Sequence, residues 1–272
     1  LALQYKIGFI GTGNLAQAMI KGLIENKIVD PKNIFGSNRS AGKLQKLQET
    51  FGIQACATNE ELIESCEIVI LAMKPQDLPN AIESLSSSFS DNQIVISLAA
   101  GITLRTLEKM LNQVRLVRLM PNTPSLISRG VIGYVTQNSD EGLETTIEDL
   151  FRGLGYVLQV DDEEQLAALT VACSSGTGFV FELMMYWKDW IEERGFSPEI
   201  ARKMTVETFL GAALLATQSD STELEELLAK VTSKKGITAA GLQSMRELEI
   251  ERALRYSFEK ASLRNQELAK ES

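Results

Sequence analysis

The stretch from Lys6 to Ala16, KIGFIGTGNLA, restricts the fold of this chain more than any other. Lys6 to Ile10 is a short apolar run that reads as a buried strand. Gly11-Thr12-Gly13 breaks it, and a helix follows from Asn14 to about Glu25. A strand, a glycine turn and a helix, with Gly11, Gly13 and Ala16 in G-x-G-x-x-A spacing, predict a dinucleotide site. Gly11 permits the tight turn, Gly13 lets the backbone approach a pyrophosphate, and Ala16 lets the helix pack close to the strand. The phosphates would then meet the free N–H groups and positive dipole end of the helix.

The following segments extend this unit into a doubly wound α/β sheet. A strand over Asn33 to Ser37 runs into Asn38-Arg39-Ser40, and a helix covers Ala41 to Phe51. The ribose selector of dinucleotide folds stands about twenty residues past the glycines. An acidic residue there would bond a free 2′-hydroxyl, whereas Ser37, Asn38 and Arg39 suit a 2′-phosphate, which arginine grips with two parallel bonds. The bland alternative makes Arg39 a solvated residue at a helix start. Further strands are expected near Ile53 to Cys56, at Ile68 to Ala72, Ile94 to Leu98 and Val114 to Leu119. The unbroken apolar run Ile68-Val69-Ile70-Leu71-Ala72 indicates a strand covered on both faces. Ligands of such sheets lie at the carboxyl ends of strands, which draws Ala72, Lys74 and Pro75 toward the cofactor. Thr103 is expected to cap a helix, and Pro121-Asn122-Thr123-Pro124 to form a rigid loop. Ile132 to Val135 and Tyr156 to Val160 read as two more strands around a helix from Glu141 to Leu154.

After Asp161-Asp162-Glu163-Glu164, a helix N-terminus by its acidity, only helical periods remain. The division therefore falls near residue 160: an NADP-binding domain of Rossmann type over 1–160 and an all-helical domain over 161–272. Within the latter, Phe179, Phe181, Leu183, Met184, Tyr186, Trp187 and Trp190 put apolar residues on more than one face of a helix, so it should be buried all round. A dimer interface explains that apolar excess better than a helical domain of this size alone. Farther on, Ser233, Gly236 and Thr238 precede a helix expected from about Ala239. One reading makes Thr238 an ordinary N-cap. The other makes the segment a carboxylate cradle, with helix N–H groups on an anion and the Thr238 hydroxyl facing the reacting atom.

Composition narrows the chemistry. With 36 acidic and 27 basic residues the net charge is −9, which argues against nucleic acid and anionic membranes as partners. No apolar run approaches a membrane span, and no leader pattern opens the chain, so the expectation is a cytoplasmic protein. Cys56, Cys66 and Cys173 lack metal-like spacing and read as reduced thiols. The chain has no histidine. That removes the usual general acid for carbonyl reduction and the commonest metal ligand, and no metal is expected.

Taken in order, GFIGTGNLA, LAMKPQ, SLAAGIT, RLMPNTP and, near the end, LRNQEL resemble the pyrroline-5-carboxylate reductases over nearly the whole chain. The resemblance implies a Rossmann domain followed by a helical domain that dimerises, with the active site where subunits meet. It implies reduction of the cyclic imine 1-pyrroline-5-carboxylate to proline with NADP(H), or NAD(H) in its place, in a homodimer or higher homo-oligomer. With the strand ends it gives a cofactor set of Gly11, Thr12, Gly13, Asn14, Leu15, Ser37, Asn38, Arg39, Asn59, Ala72, Met73, Lys74, Pro75, Ala99 and Ala100. Position alone would make Asn59 a helix cap. Ser233, Gly236, Ile237 and Thr238 would bind substrate, with Thr238 catalytic. Two loops depart from the family: Pro-Gly is replaced by Lys234-Lys235 and a threonine by Ile237, while Gly-Ser-Gly-Pro-Ala-Tyr is replaced by Ser174-Ser175-Gly176-Thr177-Gly178-Phe179. These leave open a paralogue that reduces another imine or a keto acid, and a dinucleotide-binding regulator without turnover. A β-hydroxyacid dehydrogenase would need a lysine–asparagine pair, and Lys203 has no asparagine one turn away.

Overall fold

The computed structural model describes residues 2–91, 93–111, 113–138, 140–218 and 222–271. By packing, the chain divides into two compact units: Leu1–Ser175 together with Ala261–Ser272, and Gly176–Lys260. The first alternates strand and helix: β1 (Ile7–Ile10), α1 (Asn14–Glu25), β2 (Ile34–Ser37), α2 (Ala41–Phe51), β3 (Gln54–Ala55), α3 (Asn59–Ser65) and β4 (Ile68–Leu71). There follow α4 (Leu78–Leu85), β5 (Ile94–Ser97), α5 (Leu104–Met110), β6 (Arg115–Met120), β7 (Gly130–Thr136), α6 (Glu141–Phe151), β8 (Gly155–Gln159) and α7 (Glu163–Leu169). No strand follows β8 among the described residues. The compact unit nevertheless extends to Ser175, because α7 packs back on the sheet.

The eight strands form one sheet in the order β3-β2-β1-β4-β5-β6-β7-β8. Every neighbouring pair is parallel except β6 and β7. The segment joining these two, a 3-10 turn over Thr123–Ile127, is too short for a crossover, so β7 must reverse direction. The strand order reverses between β1 and β4, which places a crevice at their carboxyl ends. The apolar run of β4 serves both faces. Ile68 and Ile70 join Phe9, Ile20 and Ile147 in one core layer, and Val69 and Leu71 join Leu62, Ile82 and Leu166 in the other.

Local chemistry explains most element starts. Thr58, Thr103, Asp140 and Asp162 cap α3, α5, α6 and α7, each accepting a backbone N–H from the first turn. Glu163 and Glu164 then complement the α7 dipole, as the acidic cluster predicts. Glu163 also holds Arg118, which is buried in β6, at 2.6 Å and accepts the Leu104 N–H at 2.8 Å. One side chain thus joins β6, α5 and α7.

The second unit holds α8 (Gly176–Glu193), α9 (Pro198–Thr217), α10 (Leu224–Lys230), α11 (Ile237–Glu247) and most of α12 (Ile250–Glu271). Residues Thr170–Ser175 form a π-helical turn before α8, so the polar-glycine stretch at 173–178 is wound rather than looped. The expectation that the aromatic helix is buried all round is wrong for the single chain. Phe181 is 59% exposed and Trp190 58%, and Tyr186, Trp187 and Met185 also face outward. Only part of the helix packs on α9, where Trp187 meets Phe209 edge to face at 5.4 Å. By length and composition alone, the helical stretch Glu163–Glu193 could cross a membrane. The apolar runs of the sequence, counted without interruption, do not reveal it.

Candidate functional site

A cleft of about 280 Å³ opens at the carboxyl ends of β1, β2 and β4. Gly11, Thr12 and Gly13 form its floor. Gly11 has φ +93°, and a Cβ there would stand 2.9 Å from the Ala72 carbonyl oxygen, so only glycine joins β1 to α1 beside the end of β4. Gly13 is the extended N-cap of α1, with no side-chain cap on the first turn among the described residues and open space where a Cβ would stand. The backbone donors of α1 are therefore approachable. Thr12 is 1% exposed, and its hydroxyl lacks a hydrogen-bond partner among the described residues, a costly state for a buried oxygen. An orphaned hydroxyl beside an uncovered helix start fits a bound dinucleotide.

The end of β2 supplies the next wall. The Ser37 hydroxyl donates to Asn59 Oδ1 at 2.5 Å, and Thr58 caps α3. Asn59 is thus not the cap that its position suggests; its side chain turns back to β2. Asn38 and Arg39 line the same cleft, and Arg39, with a side chain 83% exposed, lies 3.6 Å from Asp77. At the end of β4, Ala72, Met73 and Lys74 line the cleft, and Pro75 opens a 3-10 turn behind it. Asn14, Leu15, Pro75, Ala99 and Ala100 are not among the lining residues. Asn14 borders a separate hollow beside α2, and Ala99 is buried at the end of β5. Sequence reasoning passed over Lys43 and Asp77, which do line it. Lys43 lies in the first turn of α2, which opens just after Asn38 and Arg39, and that position was the available signal.

The expected substrate residues lie together in the second unit. The Ser233 carbonyl accepts the Gly236 N–H at 3.0 Å, closing a turn in which Lys235 has φ +57°. Gly236 is the N-cap of α11, which begins at Ile237. The expected N-cap role of Thr238 is therefore corrected: it is the second residue inside the helix, and its side chain is exposed. An extended glycine can cap without a side chain, and it starts the helix two residues early. Among the described residues no side chain caps the first turn of α11, and Ile237 is 95% exposed beside it.

The first unit also explains the Pro121–Pro124 loop. Asn122 is buried; its amide donates to the Cys173 carbonyl at 3.2 Å and its oxygen accepts the Val131 N–H at 2.9 Å. The Ser174 hydroxyl donates to the Pro121 carbonyl at 3.3 Å. The loop thereby ties the end of β6 to the start of β7 and to the π turn.

Comparison with known proteins agrees with this arrangement. Residues 6–101 match the family described as NADP oxidoreductase, coenzyme F420-dependent, and residues 163–268 match pyrroline-5-carboxylate reductase dimerisation. The pyrroline-5-carboxylate reductase of Pseudomonas aeruginosa is 34% identical over 98% of this chain and 97% of its own length. That of Methanosarcina acetivorans is 34% identical over 97% and 98%. The solved pyrroline-5-carboxylate reductase of Coxiella burnetii superimposes with a TM-score of 0.91 at 31% identity, covering 98% of this chain and 99% of that one. The Plasmodium falciparum pyrroline carboxylate reductase with NADP bound, at 23% identity and a TM-score of 0.85, shares the fold. A glycine turn under an open helix end, a helical second half and likeness running from end to end lead to one conclusion: this chain belongs to the pyrroline-5-carboxylate reductase family.

Proposed function

We propose that this protein is an oxidoreductase that reduces 1-pyrroline-5-carboxylate to proline with NADPH, the last step in making that amino acid. The observation that carries the reading is the full-length likeness to reductases of this name. Gly11, Thr12, Gly13 and the start of α1 would hold the pyrophosphate, and Ser37, Asn38 and Arg39 the phosphorylated ribose. The bound cofactor supplies a hydride for the carbon of the carbon–nitrogen double bond.

The residues on the substrate side need little acid–base power. A protonated imine already carries positive charge, so its nitrogen needs no new proton as hydride arrives at carbon, and a chain without histidine suffices. Ser233 and the N–H groups at the start of α11 would bind the carboxylate, with the Thr238 hydroxyl on the imine nitrogen. Their work is orientation and exclusion of water. Lys234 and Lys235 add positive charge beside that carboxylate, which suits the same substrate or a more anionic one. Thr238→Ala should lower kcat/KM roughly ten- to a hundred-fold, the scale of one donor at a reacting atom. Unchanged kinetics would remove Thr238 from the chemistry.

The helical unit would join a second copy through the aromatic face of α8, giving a homodimer or a larger homo-oligomer. Support comes from its exposed Phe181, Tyr186 and Trp190 and from the dimerisation family it matches. The thiols Cys56 and Cys66, which form no disulfide, suit the cytoplasm. The deciding assay mixes purified protein with NADPH and pyrroline-5-carboxylate and follows the nicotinamide absorbance. Cofactor binding without turnover would favour a regulator instead.

A further inference from the structure

We infer that Asp77 is a specificity-determining residue that weakens the preference of this site for a 2′-phosphorylated cofactor over an unphosphorylated one. The inference rests on the proposed cofactor site and concerns its selectivity. Asp77 is the last residue of the 3-10 turn after β4 and stands at the N-cap position of α4. An aspartate there ordinarily accepts a backbone N–H from the first helical turn. Asp77 makes no such bond. Its carboxylate instead lies 3.6 Å from the Arg39 guanidinium, and both residues line the cleft together with Ser37, Asn38 and Lys43.

This placement sets an anion among the cations that would read the ribose. A 2′-phosphate carries close to two negative charges at neutral pH. When it reaches Arg39 it must share the guanidinium with Asp77 or displace it, and it is repelled by the carboxylate in either case. A free 2′-hydroxyl carries no charge to repel and can donate to a carboxylate. Arg39 and Lys43 therefore favour the phosphorylated cofactor while Asp77 penalises it, and selectivity is the difference between the two. Because Arg39 is mostly exposed, the penalty is modest and screened by salt.

The test compares the full chain with Asp77→Asn, which keeps the shape and removes the charge. Titration calorimetry with adenosine 2′,5′-bisphosphate and with 5′-AMP reads the ribose end without turnover; steady-state kinetics with NADPH and NADH read it in the reaction. The variant should bind the bisphosphate about two- to fivefold more tightly, the scale of one exposed charge pair, and 5′-AMP no more tightly than before. KM for NADPH should fall by a similar factor, and the gain should shrink at high salt. A bisphosphate-to-AMP ratio equal to that of the wild type, or a parallel change for both ligands with a shifted melting temperature, would show a merely structural ion pair and overturn the inference. Wild-type protein that binds both nucleotides but leaves the imine untouched would refute the proposed reaction while the ratio still decides Asp77. Protein that binds neither would refute both.

Discussion

Lys235 holds φ +57° at the third position of a turn closed by the Ser233–Gly236 hydrogen bond. Positive φ at that position is the mark of a type II turn, which favours proline then glycine at its centre. The left-handed Lys235 therefore occupies a position that glycine would hold without strain. Lys235→Gly should raise stability by about 1 kcal/mol, read as a higher melting temperature, because left-handed backbone costs a non-glycine residue about that much or more. A second residue effect is pH-dependent. Burial pushes the Cys66 thiol from 9.0 up to about 12, with the neighbouring Cys56 adding to the shift. The protonated thiol is thus favoured in the folded state, and its contribution is full below pH 9. It declines as pH rises from 9 toward 12, where the unfolded thiol ionises and the folded one does not. Cys66→Ala should flatten the fall in urea-unfolding stability over that window. At this scale the sequence was informative wherever a residue acts through its own backbone, as at Gly11 and Gly13. It was silent on Asp77, whose place depends on a side chain turning away from its helix.

At the scale of elements, starts and stops were legible because they are local. The cap Thr103, the helix start at the acidic cluster before α7, and the bounds of α1 and α2 need only neighbours in sequence. The reversal of β7 is not local in this sense, since it follows from a connection too short to cross over. The early start of α11 escaped because an extended Gly236 takes the place that Thr238 seemed to hold. Two elements meet at Gly101, where φ is +82° and a Cβ would lie 3.1 Å from Ala269 Cα near the end of α12. Gly101→Ala should therefore destabilise the protein by about 1–3 kcal/mol in chemical unfolding. Loosening of the α12 end, seen as faster amide exchange over residues 261–269, should accompany it.

For the molecule as a whole, the outward aromatic face of α8 is a departure from a self-contained fold. Periodicity revealed that this helix is apolar on several sides but could not say whether its own chain or a second copy covers them. Phe181→Glu places a charge on that face and should shift the protein to monomer in sedimentation, with unchanged circular dichroism. A variant that still sediments like wild type would move the interface elsewhere. The division into units carries a different consequence. The first unit is discontinuous in sequence, since residues 1–175 are completed by a segment from Ala261 onward. During synthesis all eight strands emerge before the helical insert, but until the last residues follow them the Gly101 corner stands uncovered on the ribosome.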